Sequence, residues 1–254
     1  MRNMLFVLLV AGPLAAADMP SQVSKPYGSA QRPRALVVVG DRYHSPVLMR
    51  DGLAAALLRE NIPATFIEEV TALNRASLAQ HQLLIMARNG RYWPQGYSKP
   101  QAHWMTDEQQ KAVWDFVQNG GGVLAMHNAH TAYPPGGLYY QLFGGDFGGH
   151  PKPYTFTIRI TNPHHPITAG VEDYEIFDEQ HTSKYALDEE HLLMRNIARD
   201  NLEAPAGWWR EMGKGRFCYL SPGHTPEALN HPMTQRLIRN AARWVLRLES
   251  ARQD

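Results

Sequence analysis

Four short motifs each set a histidine beside glycine, proline or an acid. They are GGGVLAMHNAHTAY at 120–133, with His127 within it, Phe147-Gly148-Gly149-His150, Asp178-Glu179-Gln180-His181, and Pro222-Gly223-His224. Imidazole changes charge near neutral pH and, when neutral, is a common metal ligand. Glu179 adds a carboxylate. His127, Glu179, His150 and His224 are therefore the candidate catalytic groups. Two chemistries suit them. In one, a carboxylate and an imidazole move protons without a metal. In the other, His127, His150, Glu179, His181 and His224 hold one divalent ion, zinc, or manganese or iron where oxygen ligands increase. The spacing contains no fixed-interval metal signature such as His-Glu-x-x-His, so both remain open.

Other chemistries are excluded more firmly. The single cysteine, Cys218, lies in the apolar run Phe217-Cys218-Tyr219-Leu220. It reads as a small buried hydrophobe, not an activated thiol. One cysteine closes no disulfide within the sequence and builds no cysteine-rich zinc site. No Gly-x-Ser-x-Gly elbow is present, which removes a serine hydrolase. No GxGxxG or Walker sequence occurs, so no nucleotide cofactor is indicated.

These groups need a scaffold. Residues 35–39 form a β-branched run that reads as a buried strand, and 64–67, 83–86 and 123–126 read likewise. Ser45-Pro46 opens a helix, with Leu48, Leu53, Ala56 and Leu57 as its apolar stripe. A short helix is expected at 73–79. Thr106-Asp107-Glu108-Gln109 is a capping signature for a helix through Gln118. The order β-α-β-α-β-α-β predicts an α/β fold with a doubly wound, mostly parallel sheet. In such sheets ligands bind beyond the carboxyl ends of the strands. His127 and His224 each follow a strand directly, and His44 follows the first strand as a rim candidate.

The second half predicts additional strands at 154–160, 174–177, 192–197, 206–210 and 216–220, the last entered through a Gly213-Lys214-Gly215 hairpin turn. A final helix covers about 231–248. Gly144-Gly145 and Gly148-Gly149 read as turns or as points of close backbone approach. The long aperiodic loop 88–103 reads as functional. Tyr43, Tyr92, Trp93, Tyr97, Trp104 and Tyr133 fall in or near strand-end loops, where flat rings stack on sugars or pack the loops themselves. Tyr43, His44, Tyr92, Trp93, Asn128, Tyr133 and His181 are the candidate substrate contacts. Lys99, Lys152 and Lys184 read as surface charges.

The 254 residues are 44% hydrophobic and 19% charged, with net charge +1. That suits one domain over 35–248 with a short tail at 249–254, and gives no reason to expect a nucleic-acid or membrane-surface partner. The start reads as a secretory signal peptide, 1–17: Arg2, an apolar run at 4–10, and Ala15-Ala16-Ala17 before Asp18. A Pro/Ser/Gly-rich linker follows at 18–34. The leader's apolar run is too short to span a bilayer, and export to the periplasm or medium is expected.

Taken in order, 120–127, 142–151 (LFGGDFGGHP), His165-Pro166-Ile167-Thr168, Phe177-Asp178-Glu179, 208–210, Gly213-Lys214-Gly215-Arg216 and Gly223-His224 resemble the trehalose-utilisation (ThuA-like) family over roughly 35–248. The resemblance implies a flavodoxin-related, class I glutamine-amidotransferase-like fold. It also implies a role in sugar utilisation, around disaccharides and their oxidised 3-keto forms. A small carbohydrate ligand is then expected. An enzyme would act on it by hydrolysis, elimination or isomerisation; a non-catalytic protein would only bind it. The amidotransferase elbow carries a nucleophilic cysteine where this sequence has His127. Many relatives continue the acidic motif as Asp-Glu-Leu-Tyr, whereas this sequence has Asp178-Glu179-Gln180-His181.

Overall fold

The computed structural model describes residues 32–93, 98–99, 102–200 and 202–248. The signal peptide, almost all of the linker, the tail and Tyr97 lie outside the described residues. Strands β1 (Ala35–Val39), β2 (Ala64–Ile67), β3 (Leu83–Ala87) and β4 (Gly122–Met126) alternate with helices α1 (Pro46–Arg59), α2 (Arg75–Leu78) and α3 (Asp107–Gln118). β1, β3 and β4 are buried along their whole length. That is the reason they read as continuous apolar runs instead of alternating ones.

The chain then continues through α4 (Leu138–Phe143), β5 (Gly145–Gly149), β6 (Tyr154–Ile160), β7 (Tyr174–Asp178), β8 (Thr182–Tyr185), β9 (Leu192–Ile197), β10 (Glu203–Met212), β11 (Gly215–Leu220), α5 (Pro226–Asn230) and α6 (Pro232–Val245). The main sheet has the order β2-β1-β3-β4-β11-β10-β9-β6-β7. Pairings from β2 to β11 are parallel and those from β11 to β7 antiparallel. The later strands thus extend a parallel, doubly wound half into an antiparallel one. Gly213, at φ 58°, turns the β10–β11 hairpin.

Alternate strand residues feed two cores. Val37 and Val39 face α1 and α6 through Leu53, Leu57, Leu237 and Ile238. Leu36 and Val38 belong with Val113, Val117, Tyr139 and Phe143 from α3 and α4. Each fully buried Leu or Ile contributes about 1.5–3 kcal/mol. Cys218 belongs to the first core, wholly buried, and its thiol pKa is pushed up by that burial.

Several boundaries moved for identifiable reasons. Thr106 and Gln109 form the expected capping box. Ser45 sits at the start of α1 but its side chain makes no cap bond, leaving Pro46 as the start signal. The helix expected at 73–79 is cut short because Asn74 makes its own capping box with Ser77. β10 is longer than 206–210, and Pro205 sits where the register to β9 shifts. Four elements escaped the sequence: α4, β5, β8 and α5. β5 and β8 pair as a separate antiparallel ribbon. Gly145 and Gly148 lie in that ribbon, where a Cβ would stand 2.9 Å and 2.6 Å from the carbonyls of Lys184 and Thr182. Of the two pairs, Gly144 (φ 61°) and Gly149 (φ 120°) have the positive φ that the turn reading called for.

Candidate functional site

His127 leaves β4 with φ 47°, a left-handed conformation unusual for a residue with a Cβ. It opens the short 3-10 turn His127–His130. Three contacts hold this strained corner. Its Nδ1 donates to the Ser221 carbonyl at 2.8 Å, and the Tyr219 hydroxyl donates to its carbonyl at 2.9 Å. Gly223 approaches so closely that a Cβ there would lie 3.3 Å from the His127 Cβ. With Nδ1 donating, Nε2 carries a lone pair. That Nε2 is buried, has no hydrogen-bond partner, and faces Glu179 Oε2 at 3.4 Å.

Glu179 follows β7, the outermost strand of the antiparallel half. Its neighbour Asp178 brings the distant parts together. The buried Asp178 carboxylate accepts the backbone N–H groups of Gly223 (2.8 Å), His224 (3.0 Å) and Thr225 (3.1 Å). The loop after β11 is thereby latched to the end of β7. His224 Nδ1 then lies 3.3 Å from Glu179 Oε2. His181 Nε2 is 3.8 Å from the same oxygen, and His150 Nδ1 is 3.5 Å from Oε1. His44 Nε2 completes the ring, 3.2 Å from His224 Nδ1. The rings of His127 and His181 stack at 4.0 Å.

Asp41 plays a similar orienting part. It accepts from His44 Nδ1 at 2.8 Å, from the backbone of Asn89 at 3.1 Å and from the Asn128 amide at 2.5 Å. His44 is so turned that Nε2 faces the centre, the usual way a carboxylate fixes an imidazole tautomer. Arg88 ties the ends of β1 and β2 by donating to the carbonyls of Gly40 and Glu68.

The charges are mutually consistent. Burial opposes ionisation of Glu179, but the neighbouring imidazoles, His127 and then His181, hold its carboxyl well below the usual range. Burial opposes charge on His127 as well, yet Glu179 and Asp178 outweigh it and raise its pKa. Burial, then the neighbouring His127, lowers His224 to about 4 and His181 well below its ordinary value. Glu179 thus favours its charged form, His127 favours a proton, and His181 and His224 resist one.

All five residues of the proposed metal set, with His44, therefore meet around Glu179. Two groupings have ligand atoms within 4.8 Å of one another: His44, His127, Glu179 and His224, and His150, Glu179 and His181. The donor set of imidazole nitrogens and one carboxylate suits a borderline divalent ion.

The site opens into a cleft of about 890 Å³. Tyr43 and Asn128 line it, and Trp93 meets the edge of Tyr43 at 5.5 Å. Two aromatic expectations need correction. Tyr133 is buried beneath the site, with its hydroxyl donating to the Arg88 carbonyl and its ring against Tyr139 at 4.2 Å, so it presents no face to a sugar. Tyr92 lines a different groove, with Val70, Leu73 and Trp104. Trp104 is likewise a packing residue, donating to the Asn89 carbonyl. Lys152 is exposed as expected, but it lines this cleft, together with Arg42 and Arg91. Sequence reasoning assigned no role to Asp41, Asp178 or Tyr219. A signal existed for the first two: each is an acid at a strand end beside a candidate residue.

A model of the ThuA family, described as trehalose utilisation, matches residues 34–245. No curated protein matches. Among solved structures, a ThuA-like protein from Parabacteroides merdae superposes with TM-score 0.69 at 16% identity, covering 85% of this chain and 90% of that one. A ThuA-like protein from Bacteroides uniformis gives 0.65 at 18%, covering 87% and 94%. A β-galactosidase from Bacillus circulans gives 0.56 at 13% over 80% of this chain, but only 30% of its own. At these identities the likeness establishes the fold.

Proposed function

The chain belongs to the trehalose-utilisation (ThuA) family, and from that premise we propose that it is an exported enzyme acting on a sugar, glycoside or keto-sugar at the His/Glu centre. One observation carries this reading. His127 Nε2 and Glu179 Oε2, two lone-pair acceptors, face each other 3.4 Å apart in a buried site. Such a pair repels unless a proton or a cation lies between them.

A divalent cation fits best, because the surrounding imidazoles of His181 and His224 are held neutral and so offer further lone pairs. His127, Glu179 and His224 would hold it, with His44 or His150 and His181 completing the shell, and it would supply Lewis-acid polarisation of a substrate oxygen. Asp41 keeps His44 aimed at the centre. Asp178 keeps His224 there. A metal-free version replaces the cation with a proton on His127, which then acts as the general acid toward a leaving oxygen. In that version Glu179, no longer a ligand, takes or returns a proton at the substrate carbon or hydroxyl. The raised His127 pKa favours that version.

The test combines elemental analysis of the purified protein with product analysis on oxidised and unoxidised disaccharides. Stoichiometric metal and turnover lost on chelation support the first version. Turnover without metal supports the second. Saturable sugar binding with no product from any substrate removes the enzyme and leaves a carbohydrate-binding protein.

A further inference from the structure

The sequence as a whole balances its charges, with 25 Lys and Arg against 24 Asp and Glu. The cleft does not. Arg42, Arg91 and Lys152 line it, and among the described residues the sole acid on its wall is Glu179, already surrounded by imidazoles. Asp41 lies beneath the wall, engaged with His44 and Asn128.

Two of these cations, Arg91 and Lys152, matter most here. Among the described residues the side chains of Arg91 and Lys152 have no carboxylate partner; the Arg91 backbone N–H donates to the Asn89 side-chain oxygen at 3.1 Å. The stretches of the neighbouring loop outside the described residues, 94–97 and 100–101, contain no acid. The Arg42 guanidinium lies 6.0 Å from the Tyr43 ring centre and 5.8 Å from that of Trp93. A cationic group therefore sits at the aromatic lip where a sugar ring would stack. A concave wall of one sign focuses its field on whatever enters. A centre that holds a proton or a divalent cation between His127 and Glu179 strengthens that field.

We infer that the ligand of this cleft is an anionic sugar derivative, one whose carboxylate or phosphate is met by Arg91 and Lys152 while its ring lies toward the His/Glu centre. The inference rests on the sugar reading of the site and adds the charge of the substrate to it. Guanidinium suits either anion in a bidentate pair, and ammonium serves as a point charge.

The test titrates the purified protein with trehalose, its 6-uronic acid, its 6-phosphate and inorganic phosphate, at low and high salt. The expected result is that at least one charged sugar binds 10-fold or more tighter than trehalose at low salt. That advantage should shrink as salt rises. Whichever derivative binds identifies the anion. In Arg91→Gln/Lys152→Gln the advantage over trehalose should disappear, whereas Lys214→Gln, far from the cleft, should alter nothing. Lys152→Gln alone, an exposed site, covers the case in which the double variant folds poorly. Trehalose binding as tightly as both derivatives, or an advantage that survives the substitutions, overturns the inference and leaves the sugar reading intact. Phosphate binding that depends on Arg91 and Lys152, with no sugar bound, overturns the sugar reading and confines the wall to simple anions. Binding of nothing overturns both.

Discussion

His127 combines strain, burial and an unpaired lone pair, three features seldom kept together without a use. His127→Ala should lower turnover by 10²-fold or more, the ordinary size of a lost acid–base or ligand group. Alanine keeps the Cβ and with it the left-handed strain, so the stability cost should be limited to the lost Ser221 bond and the space the ring filled; activity assays with thermal melts check both halves. Cys218 is the opposite case. Burial raises its thiol pKa and no activating base touches it. Cys218→Ala should keep activity near wild type and lose about 1 kcal/mol from the core; a drop in turnover above 10²-fold with the fold intact would revive a thiol mechanism. His130 sets a pH dependence. Burial lowers its pKa from 6.5 to about 3, stacked against Phe143. As pH falls below 6.5 the unfolded chain takes up a proton that the folded chain refuses until about pH 3, so stability declines through that window. His181 and His224, also lowered, act in the same direction, and Glu179, whose folded pKa is also depressed, adds a further loss at lower pH, below its unfolded value. Urea unfolding at pH 7 and pH 5 should show the decline, and His130→Phe should lessen it by the share that His130 contributes.

The elements explain why some of this was readable and some was not. The parallel strands announced themselves because both faces are buried, and α3 because Thr106 and Gln109 make a local capping box. His127 and His224 could be placed at one sheet edge from that order alone. The β5–β8 ribbon could not be read, because its first strand is Gly145-Asp146-Phe147-Gly148-Gly149 and carries almost no β-forming side chains. The burial of Tyr133 was equally hidden: a strand-end tyrosine looks the same in sequence whether it faces solvent or the next helix. Nor did any local pattern show that Asp178 latches the loop after β11 to the end of β7, since the bonds join residues some 45 positions apart. That latch is testable. Asp178→Ala strands three backbone donors, each costing about 1–3 kcal/mol if left unsatisfied. It should destabilise the protein measurably and, in folded material, weaken turnover by displacing His224. Asp178→Asn, which keeps the size and part of the accepting capacity, should be milder on both measures.

At the scale of the whole molecule, the site is assembled from every part of the chain: His44 after β1, His127 after β4, His150 after β5, Glu179 and His181 after β7, His224 after β11. No two of these loops need hold their positions until the mixed sheet is complete, so the centre exists in the folded state alone. Anything that binds there adds its free energy to folding. A divalent ion at 100 times its dissociation constant would add about 2.7 kcal/mol. For a domain of this size that corresponds to a rise in melting temperature of roughly 5–10 °C. Metal-stripped protein titrated with zinc, manganese or iron(II) should show such a shift for one of them. Glu179→Gln should remove the shift, because every imidazole of the centre except His44 lies within 3.8 Å of that carboxylate and loses its shared counter-charge. Arg91→Gln, which leaves all the donor atoms in place, should retain it. A shift that persists in Glu179→Gln would locate the ion elsewhere on the molecule. No shift with any of the three would leave the proton on His127 as the species between the two facing lone pairs, and the acid–base version as the mechanism to pursue.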